Sequence, residues 1–159
     1  MIVGLGVDLC DVERVRRALE GPSGARFRDR VFTPAEQEYC EARRRGRYAS
    51  YAARFAAKEA AMKALGTGWG EGVAWRDFEV LPAGDGAPPR LVLHGAAAKL
   101  AAGRGLVRWL VALSHTDAGA VASVVVESGA AVRAGHAGAA ARRRAAGAGS
   151  KPRRPRGRR

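Results

Sequence analysis

The stretch RFAAKEAAMKALGTG, residues 54–68, decides how the rest of the sequence is interpreted. It is rich in strong helix formers and runs into Gly-Thr-Gly, so it predicts a helix over residues 48–65 that ends in a turn. At helical spacing four large apolar residues fall on one arc, which should face a core: Tyr51, Phe55, Met62 and Leu65. Lys58 and Glu59 both border this arc.

Glu59 needs a compensating cation, because burying an unpaired carboxylate costs on the order of several kcal/mol. One candidate is Lys63, one turn later, where an ion pair would contribute about 0.2–0.5 kcal/mol. The other candidate is a metal ion shared with a second acid from elsewhere in the chain. Both alternatives are open on the helix alone.

The second acid can come from the N-terminal apolar run, which predicts a first strand over residues 2–9. Gly4 and Gly6 within it indicate close packing by another backbone. Asp8 lies on the same face of the pleat as these glycines. Because acids are rarely buried without a partner, Asp8 either hydrogen-bonds the next helix or joins Glu59 at a metal.

The charge of the chain is concentrated at its C-terminus. The 159 residues suit one domain and carry a net charge of +13. Residues 129–159 hold ten Lys or Arg and no acid, which leaves 18 basic against 15 acidic residues in 1–128. We therefore expect a folded domain over 1–128 and a disordered, basic Ala/Gly/Arg-rich tail over 129–159.

Cysteine content and hydropathy favour a cytoplasmic protein with no membrane association. Cys10 and Cys40 are too few for a disulfide framework. The N-terminus reaches Asp8 before a signal-peptide core could form. No stretch approaches the roughly 20 apolar residues that a membrane span needs.

The order of predicted elements indicates an α+β domain, with helices packed on a mainly antiparallel sheet. Asp11 is a candidate N-cap for a first helix. Thr33 begins another, with Pro34 next and Glu36 at the third position, which gives Glu36 a sufficient structural role. The remaining predicted elements are strands over 73–80 and 91–93, a helix over 95–103, and strands over 107–114 and 120–127.

The residues that could carry chemistry point to phosphate. Asp8 and Glu59, with no Cys or His ligand pair beside them, favour a hard cation, and Mg²⁺ typically takes one or two protein carboxylates plus water and substrate phosphates. Lysines, a glycine turn with backbone N–H groups and a loop histidine, His115, suit a phosphate-rich ligand. The sequence therefore predicts metal-assisted handling of a phosphorylated or nucleotide-like substrate.

Four segments, in order and at matching spacing, resemble the holo-acyl-carrier-protein synthases, the small 4′-phosphopantetheinyl transferases. They are GVDLCDVERV (6–15), FTPAEQEY (32–39), RFAAKEAAMKALGTG (54–68) and LSHTDAGAVASVVVE (113–127). The resemblance covers about residues 2–127 and implies the 4′-phosphopantetheinyl transferase fold. It leaves the tail without a counterpart.

The resemblance also implies a reaction and its site. The phosphopantetheine arm of coenzyme A would move to a serine of apo acyl carrier protein, releasing adenosine 3′,5′-bisphosphate. Asp8 and Glu59 would hold Mg²⁺, and Lys58 would stabilise the transferred or departing phosphate. By motif position, the candidates for contacts to coenzyme A are Arg54, Lys63, Gly66, Thr67, Gly68 and His115.

Two partners follow from the same resemblance. Family members form a homotrimer with coenzyme A in a cleft between subunits. The acidic carrier protein would dock on the basic segment that holds Arg14, Arg17 and Arg28. The alternative function is nucleic-acid binding through the basic tail, although residues 1–128 lack a basic face interleaved with aromatic residues.

Overall fold

The computed structural model describes residues 1–68, 72–82, 84 and 87–129. Ten helices and strands follow one another along this part of the chain. In order they are β1 (Ile2–Asp11), α1 (Val12–Glu20), α2 (Gly24–Val31), α3 (Pro34–Ala42), α4 (Arg47–Leu65), β2 (Phe78–Leu81), β3 (Arg90–Leu93), α5 (Gly95–Gly103), β4 (Leu106–His115) and β5 (Gly119–Ser128). Short 3₁₀ turns lie at Arg44–Gly46 and Trp75–Asp77.

The strands form two antiparallel sheets. Three long strands make one sheet in the order β1-β5-β4, and β2 pairs with β3 in a separate hairpin. Across the larger sheet Asp8 lies opposite Ala122, which in turn lies opposite Leu113. The predicted α+β class and its antiparallel pairing are confirmed.

Helix α4 packs against one face of this sheet and is the centre of the fold. Fourteen of its nineteen residues are buried, so the helix is enclosed on most sides. The sequence had predicted burial along a single apolar arc. Its contact with β1 is unusually close. A Cβ on Gly6 would lie 1.9 Å from the Ala60 carbonyl oxygen, and one on Gly4 would lie 2.4 Å from that of Ala64. The predicted backbone packing against these glycines is confirmed.

The helix boundaries follow the local sequence. Asp11 caps α1 by accepting a hydrogen bond from the Arg14 amide at 2.7 Å. Thr33 and Glu36 form the predicted capping box at the start of α3. Helix α4 ends at Gly66, whose left-handed φ of 76° favours glycine.

The structure differs from the prediction in two segments. Helix α2 was not predicted, because its arginines and the preceding Gly-Pro-Ser-Gly break hid the apolar pair Phe27 and Val31, one turn apart. The strand predicted over 73–80 begins only at Phe78, since the Asp77 carboxylate accepts a hydrogen bond from the Ala74 amide and closes a turn there. Residues 130–159 of the predicted tail lie outside the described residues. Among the described helices, none is long and apolar enough to cross a membrane.

Candidate functional site

Asp8 and Glu59 are brought together where β1 packs on α4. Because Gly4 and Gly6 admit the backbone of α4, the next residue on that face of the strand, Asp8, is held beside the helix. The Asp8 side chain is only 19% exposed. Burial raises the pKa of the Glu59 carboxyl, and the negative charge of Asp8 raises it further. The charge of Asp8 therefore makes the charge of Glu59 more costly.

Lys63 supplies a cation to this pair, but through Asp8. Its ammonium donates to Asp8 Oδ1 at 2.8 Å and to the carbonyl oxygen of Val7 at 3.0 Å. The positive charges of Lys63 and Arg14 only partly oppose the rise in the pKa of Glu59. The simpler sequence alternative was a direct ion pair between Glu59 and Lys63. In the structure Lys63 forms its ion pair with Asp8 instead.

The residues present fit a Mg²⁺ ion. Two carboxylates share an electronegative position that an ammonium already partly compensates. In the part of the chain that the structure describes, no three His, Cys, Asp or Glu residues form a metal cluster. A two-carboxylate site matches a cation that keeps water and substrate phosphate as its other ligands.

Arg54 lines a separate cavity of about 380 Å³. Its side chain is almost fully buried, its guanidinium lies 4.0 Å from the centre of the Tyr39 ring, and Nη1 donates to the Ser50 carbonyl at 3.3 Å. Arg54 Nε is buried and has no hydrogen-bond partner among the described residues, so an acceptor could reach it only if the side chain moved. The cavity is lined by Tyr39, Arg43, Ser50, Ala53, Arg54, Pro82, Gly84, Ala87, Pro89, Leu113 and His115.

His115 also lines this cavity. It is the last residue of β4 and lies opposite Ala120, which lies opposite Cys10 on β1. By this register His115 is on the same face of the sheet as Asp8, two strands across and two residues along, or about 12 Å at the usual strand spacing and rise. The side chain is exposed and can therefore contact a ligand.

The Gly-Thr-Gly turn closes the C-terminus of α4. The Gly66 amide donates to the Lys63 carbonyl, and the amide and hydroxyl of Thr67 both donate to the Met62 carbonyl. Thr67 is buried, while Gly68 is exposed. Gly66 and Thr67 therefore have clear structural roles in ending the helix, whatever ligand they meet.

Lys58 lies apart from the acid pair, which differs from its predicted contact with substrate phosphate. The side chain is 0% exposed, and its ammonium forms an ion pair with Glu36 at 2.8 Å. Because adjacent residues of a helix point about 100° apart, Lys58 and its neighbour Glu59 face different surroundings. Sequence reasoning had given Glu36 only its capping role and did not pair it with Lys58.

The acid pair and the cavity lie on opposite flanks of α4. Glu59 and Arg54 are five positions apart, which places them about 140° apart around the helix. Ala60 faces β1 and projects about 100° from Glu59 and about 120° from Arg54, so these two residues lie on either side of the sheet contact. One subunit therefore offers two partial sites with the central helix between them.

The three arginines of the predicted docking surface, Arg14, Arg17 and Arg28, lie on α1 and α2. Arg14 and Arg17 are exposed on α1, and Arg17 pairs with Glu13 at 3.0 Å. Arg28 on α2 is half-buried and lines a cavity of about 320 Å³. Of these three, Arg14 is the one whose charge acts on Glu59.

An α+β fold that carries an acid pair and a separate arginine-lined cavity suits an enzyme that handles phosphate. Residues 4–121 match the family described as the 4′-phosphopantetheinyl transferase superfamily, and the chain belongs to that family. Within it, the chain is similar to the holo-[acyl-carrier-protein] synthases of Solibacter usitatus and Anaeromyxobacter dehalogenans strain 2CP-1. Identity is 48% over 80% of this chain and 100% of the former, and 52% over 80% of this chain and 97% of the latter.

Solved structures agree with this placement. The holo-[acyl-carrier-protein] synthase of Neisseria meningitidis is 30% identical, with a TM-score of 0.70 over 80% of this chain and 100% of that one. The synthase of Bacillus anthracis, solved in complex with CoA (3′,5′-ADP), is 32% identical, with a TM-score of 0.64 over 81% of this chain and 99% of that one. The family and fold predicted from the four sequence segments are confirmed.

Proposed function

We propose that this protein transfers the 4′-phosphopantetheine group of coenzyme A to a serine hydroxyl of an apo acyl carrier protein. The other product is adenosine 3′,5′-bisphosphate, and the reaction requires Mg²⁺. The observation that carries the proposal is the pair Asp8 and Glu59, held together by the glycine contacts of β1 with α4. Similarity to holo-[acyl-carrier-protein] synthases over four fifths of the chain supports the choice of substrates.

Each site residue would have its own role in this reaction. Bound through Asp8 and Glu59, Mg²⁺ would neutralise charge on the pyrophosphate and the departing phosphate. The ammonium of Lys63 pairs with Asp8 in the structure. The side chain is long enough to turn this ammonium toward a phosphate bound near the same carboxylates. Arg54, at the wall of the cavity, would donate from its guanidinium to the nucleotide part of coenzyme A, and His115 would contact it from the end of β4.

The proposed complete site lies between subunits of a homotrimer. Coenzyme A must meet both the acid pair and the Arg54 cavity, and α4 separates these within one chain. The outer face of the three-stranded sheet supports self-association, because large apolar side chains there are 41–78% exposed. These side chains are Leu5, Val7, Leu9 and Leu110, which we call the outer apolar face.

We expect Leu5→Glu to convert the protein to monomers and to remove transferase activity. Leu5 is 66% exposed in the single chain and lies centrally on the outer apolar face, so each subunit contact would gain a buried charge. Light scattering coupled to size exclusion measures the oligomeric state. Ala102→Glu, at an exposed position of α5, is the control and should leave the oligomer intact. A trimeric Leu5→Glu variant would contradict this interface.

Acyl carrier protein would dock on the surface formed by Arg14, Arg17 and Arg28. The charge of Arg14 acts on Glu59, so a carrier held by Arg14 would present its serine near Asp8 and Glu59. Exposed ion pairs contribute only about 0–1 kcal/mol each, so the surface acts mainly on encounter and orientation. The alternative, nucleic-acid binding through the tail, rests on residues 130–159, which lie outside the described part of the chain. We also propose a cytoplasmic location, in keeping with the two free cysteines.

Intact-mass spectrometry of the carrier protein tests the proposed reaction and its metal together. After incubation of an apo acyl carrier protein with this protein, coenzyme A and Mg²⁺, the carrier should gain the mass of one phosphopantetheine group. A chelator should prevent the gain, and excess Mg²⁺ should restore it. An unmodified carrier in every sample would contradict the proposal, and full modification in chelator would reject the metal requirement.

A further inference from the structure

We infer that Lys58 is a positioning residue, which fixes the rotation of α4 and thereby holds Glu59 opposite Asp8. The inference rests on the proposed metal site and assigns Lys58 a role without substrate contact. Its basis is a fully buried polar cluster on the side of α4 that faces away from the sheet. We call this group the Lys58 cluster; it consists of Lys58, Glu36, the carbonyls of Trp75 and Phe78, and the amides of Thr33 and Val80.

Lys58 is fully engaged within the Lys58 cluster. Its ammonium donates to the carbonyl oxygens of Trp75, at 3.1 Å, and Phe78, in addition to the ion pair with Glu36. An ammonium has three protons, and these three acceptors account for all of them. Because the side chain is also 0% exposed, no donor and no open path remain for a substrate phosphate.

Glu36 anchors the other end of the Lys58 cluster. One carboxylate oxygen accepts from the Thr33 amide at 2.8 Å, and the other accepts from the Val80 amide at 2.9 Å. The Lys58 cluster therefore joins the start of α3, strand β2 and the turn before β2 to a single point on α4. Removing one partner of such a buried pair leaves an uncompensated charge, whereas the intact pair holds a fixed geometry.

The direction of Lys58 explains how it acts on Glu59. Ala60, which packs on Gly6, projects from α4 about 160° away from Lys58, so the helix is held on two opposite sides. Glu59 projects between these two contacts. A helix rotation of about 20° would move a carboxylate some 6 Å from the axis by about 2 Å, and misplacement by about 1 Å can cost on the order of 100-fold in rate. The two contacts together prevent that rotation.

The affinity of the free protein for Mn²⁺, measured by electron paramagnetic resonance without coenzyme A or carrier, tests the inference. Lys58→Met keeps the length of the side chain and removes its charge. We expect the dissociation constant for Mn²⁺ to rise at least about tenfold. Affinity for adenosine 3′,5′-bisphosphate in chelator should stay within twofold of the unchanged protein, because Lys58 does not reach the ligand.

Glu36→Gln tests the Lys58 cluster from its far end and stands in for Lys58→Met if that variant does not fold. It should weaken Mn²⁺ binding in the same direction, at least threefold. Val31→Ala on α2 is the control for general destabilisation: its melting temperature should fall while its Mn²⁺ affinity is unchanged. The inference is supported if the cluster variants bind Mn²⁺ more weakly and Val31→Ala does not.

Each other result overturns it in a recognisable way. Variants that melt earlier but bind Mn²⁺ normally would make the Lys58 cluster a stability element only. Normal Mn²⁺ binding with weakened adenosine 3′,5′-bisphosphate binding would show that Lys58 contacts the phosphate of the ligand. If the unchanged protein binds no Mn²⁺, the proposed metal site fails and the inference fails with it.

Discussion

Glu59→Gln is expected to abolish phosphopantetheine transfer while leaving the melting temperature unchanged or raised. The carboxylate is one of two that would hold Mg²⁺, so its loss should lower kcat by at least about 1000-fold, the scale of removing a main electrostatic contribution. The fold loses nothing, because burial and the charge of Asp8 raise the pKa of Glu59, which means that its charged form costs free energy in the folded protein. A neutral amide relieves that cost.

Initial rates of carrier modification and thermal unfolding, measured on the same preparations, separate these effects. Asp8→Asn should also be inactive but should lose stability, because it breaks the ion pair with Lys63. Glu38→Gln, which alters an exposed acid on α3, is the matched control and should retain full activity. Turnover by Glu59→Gln within tenfold of normal would remove Glu59 from the metal site.

Gly6→Ala should damage both stability and activity. The added methyl group would meet three backbone atoms of α4: the Ala60 carbonyl oxygen at 1.9 Å, its carbon at 2.8 Å and the Ala64 nitrogen at 2.9 Å. Backbone atoms of a packed helix cannot move aside cheaply, so β1 must shift away from α4. We expect the free energy of unfolding to fall by about 1–3 kcal/mol or more.

The same shift would separate Asp8 from Glu59, so activity should fall further than the loss of folded protein explains. Urea unfolding gives the stability, and rates measured where the variant is folded give the activity. Gly46→Ala is the control, because a Cβ there meets nothing within 4 Å. Equal stability of the two variants would show that the β1–α4 contact is looser than described.

The proximity of Asp8 and Glu59 could be predicted because its signals are local. Glycines at alternate positions of a short strand indicate a close neighbour, and an acid next on the same face must then lie against that neighbour. An acid at the edge of an apolar helical arc needs a cation. These two patterns identified Asp8 and Glu59 before any fold was known.

The role of Lys58 could not be predicted, because it depends on a contact across 22 positions of sequence. A lysine beside an apolar arc is usually expected to extend its ammonium to solvent. Its partner Glu36 already had a sufficient local role as a cap. Only the packing of α3 and β2 over α4 shows that one carboxylate serves both the cap and the buried ammonium.

Helix α2 was missed for a different reason. Arg26 and Arg30 are exposed, while Phe27 packs edge-on against Phe32 at 6.1 Å and Val31 is buried. One apolar pair is a weak periodic signal in eight residues. Tertiary packing, more than helical patterning, determines this element.

The position of α4 between the acid pair and the Arg54 cavity has a genetic consequence. In the proposed trimer each cleft draws its acids from one subunit and its cavity from the next. A chain carrying Asp8→Asn and a chain carrying Arg54→Ala would each be inactive alone, yet mixed assemblies would contain clefts built from two unaltered halves. Two defective alleles of this gene expressed in one cell would therefore complement each other.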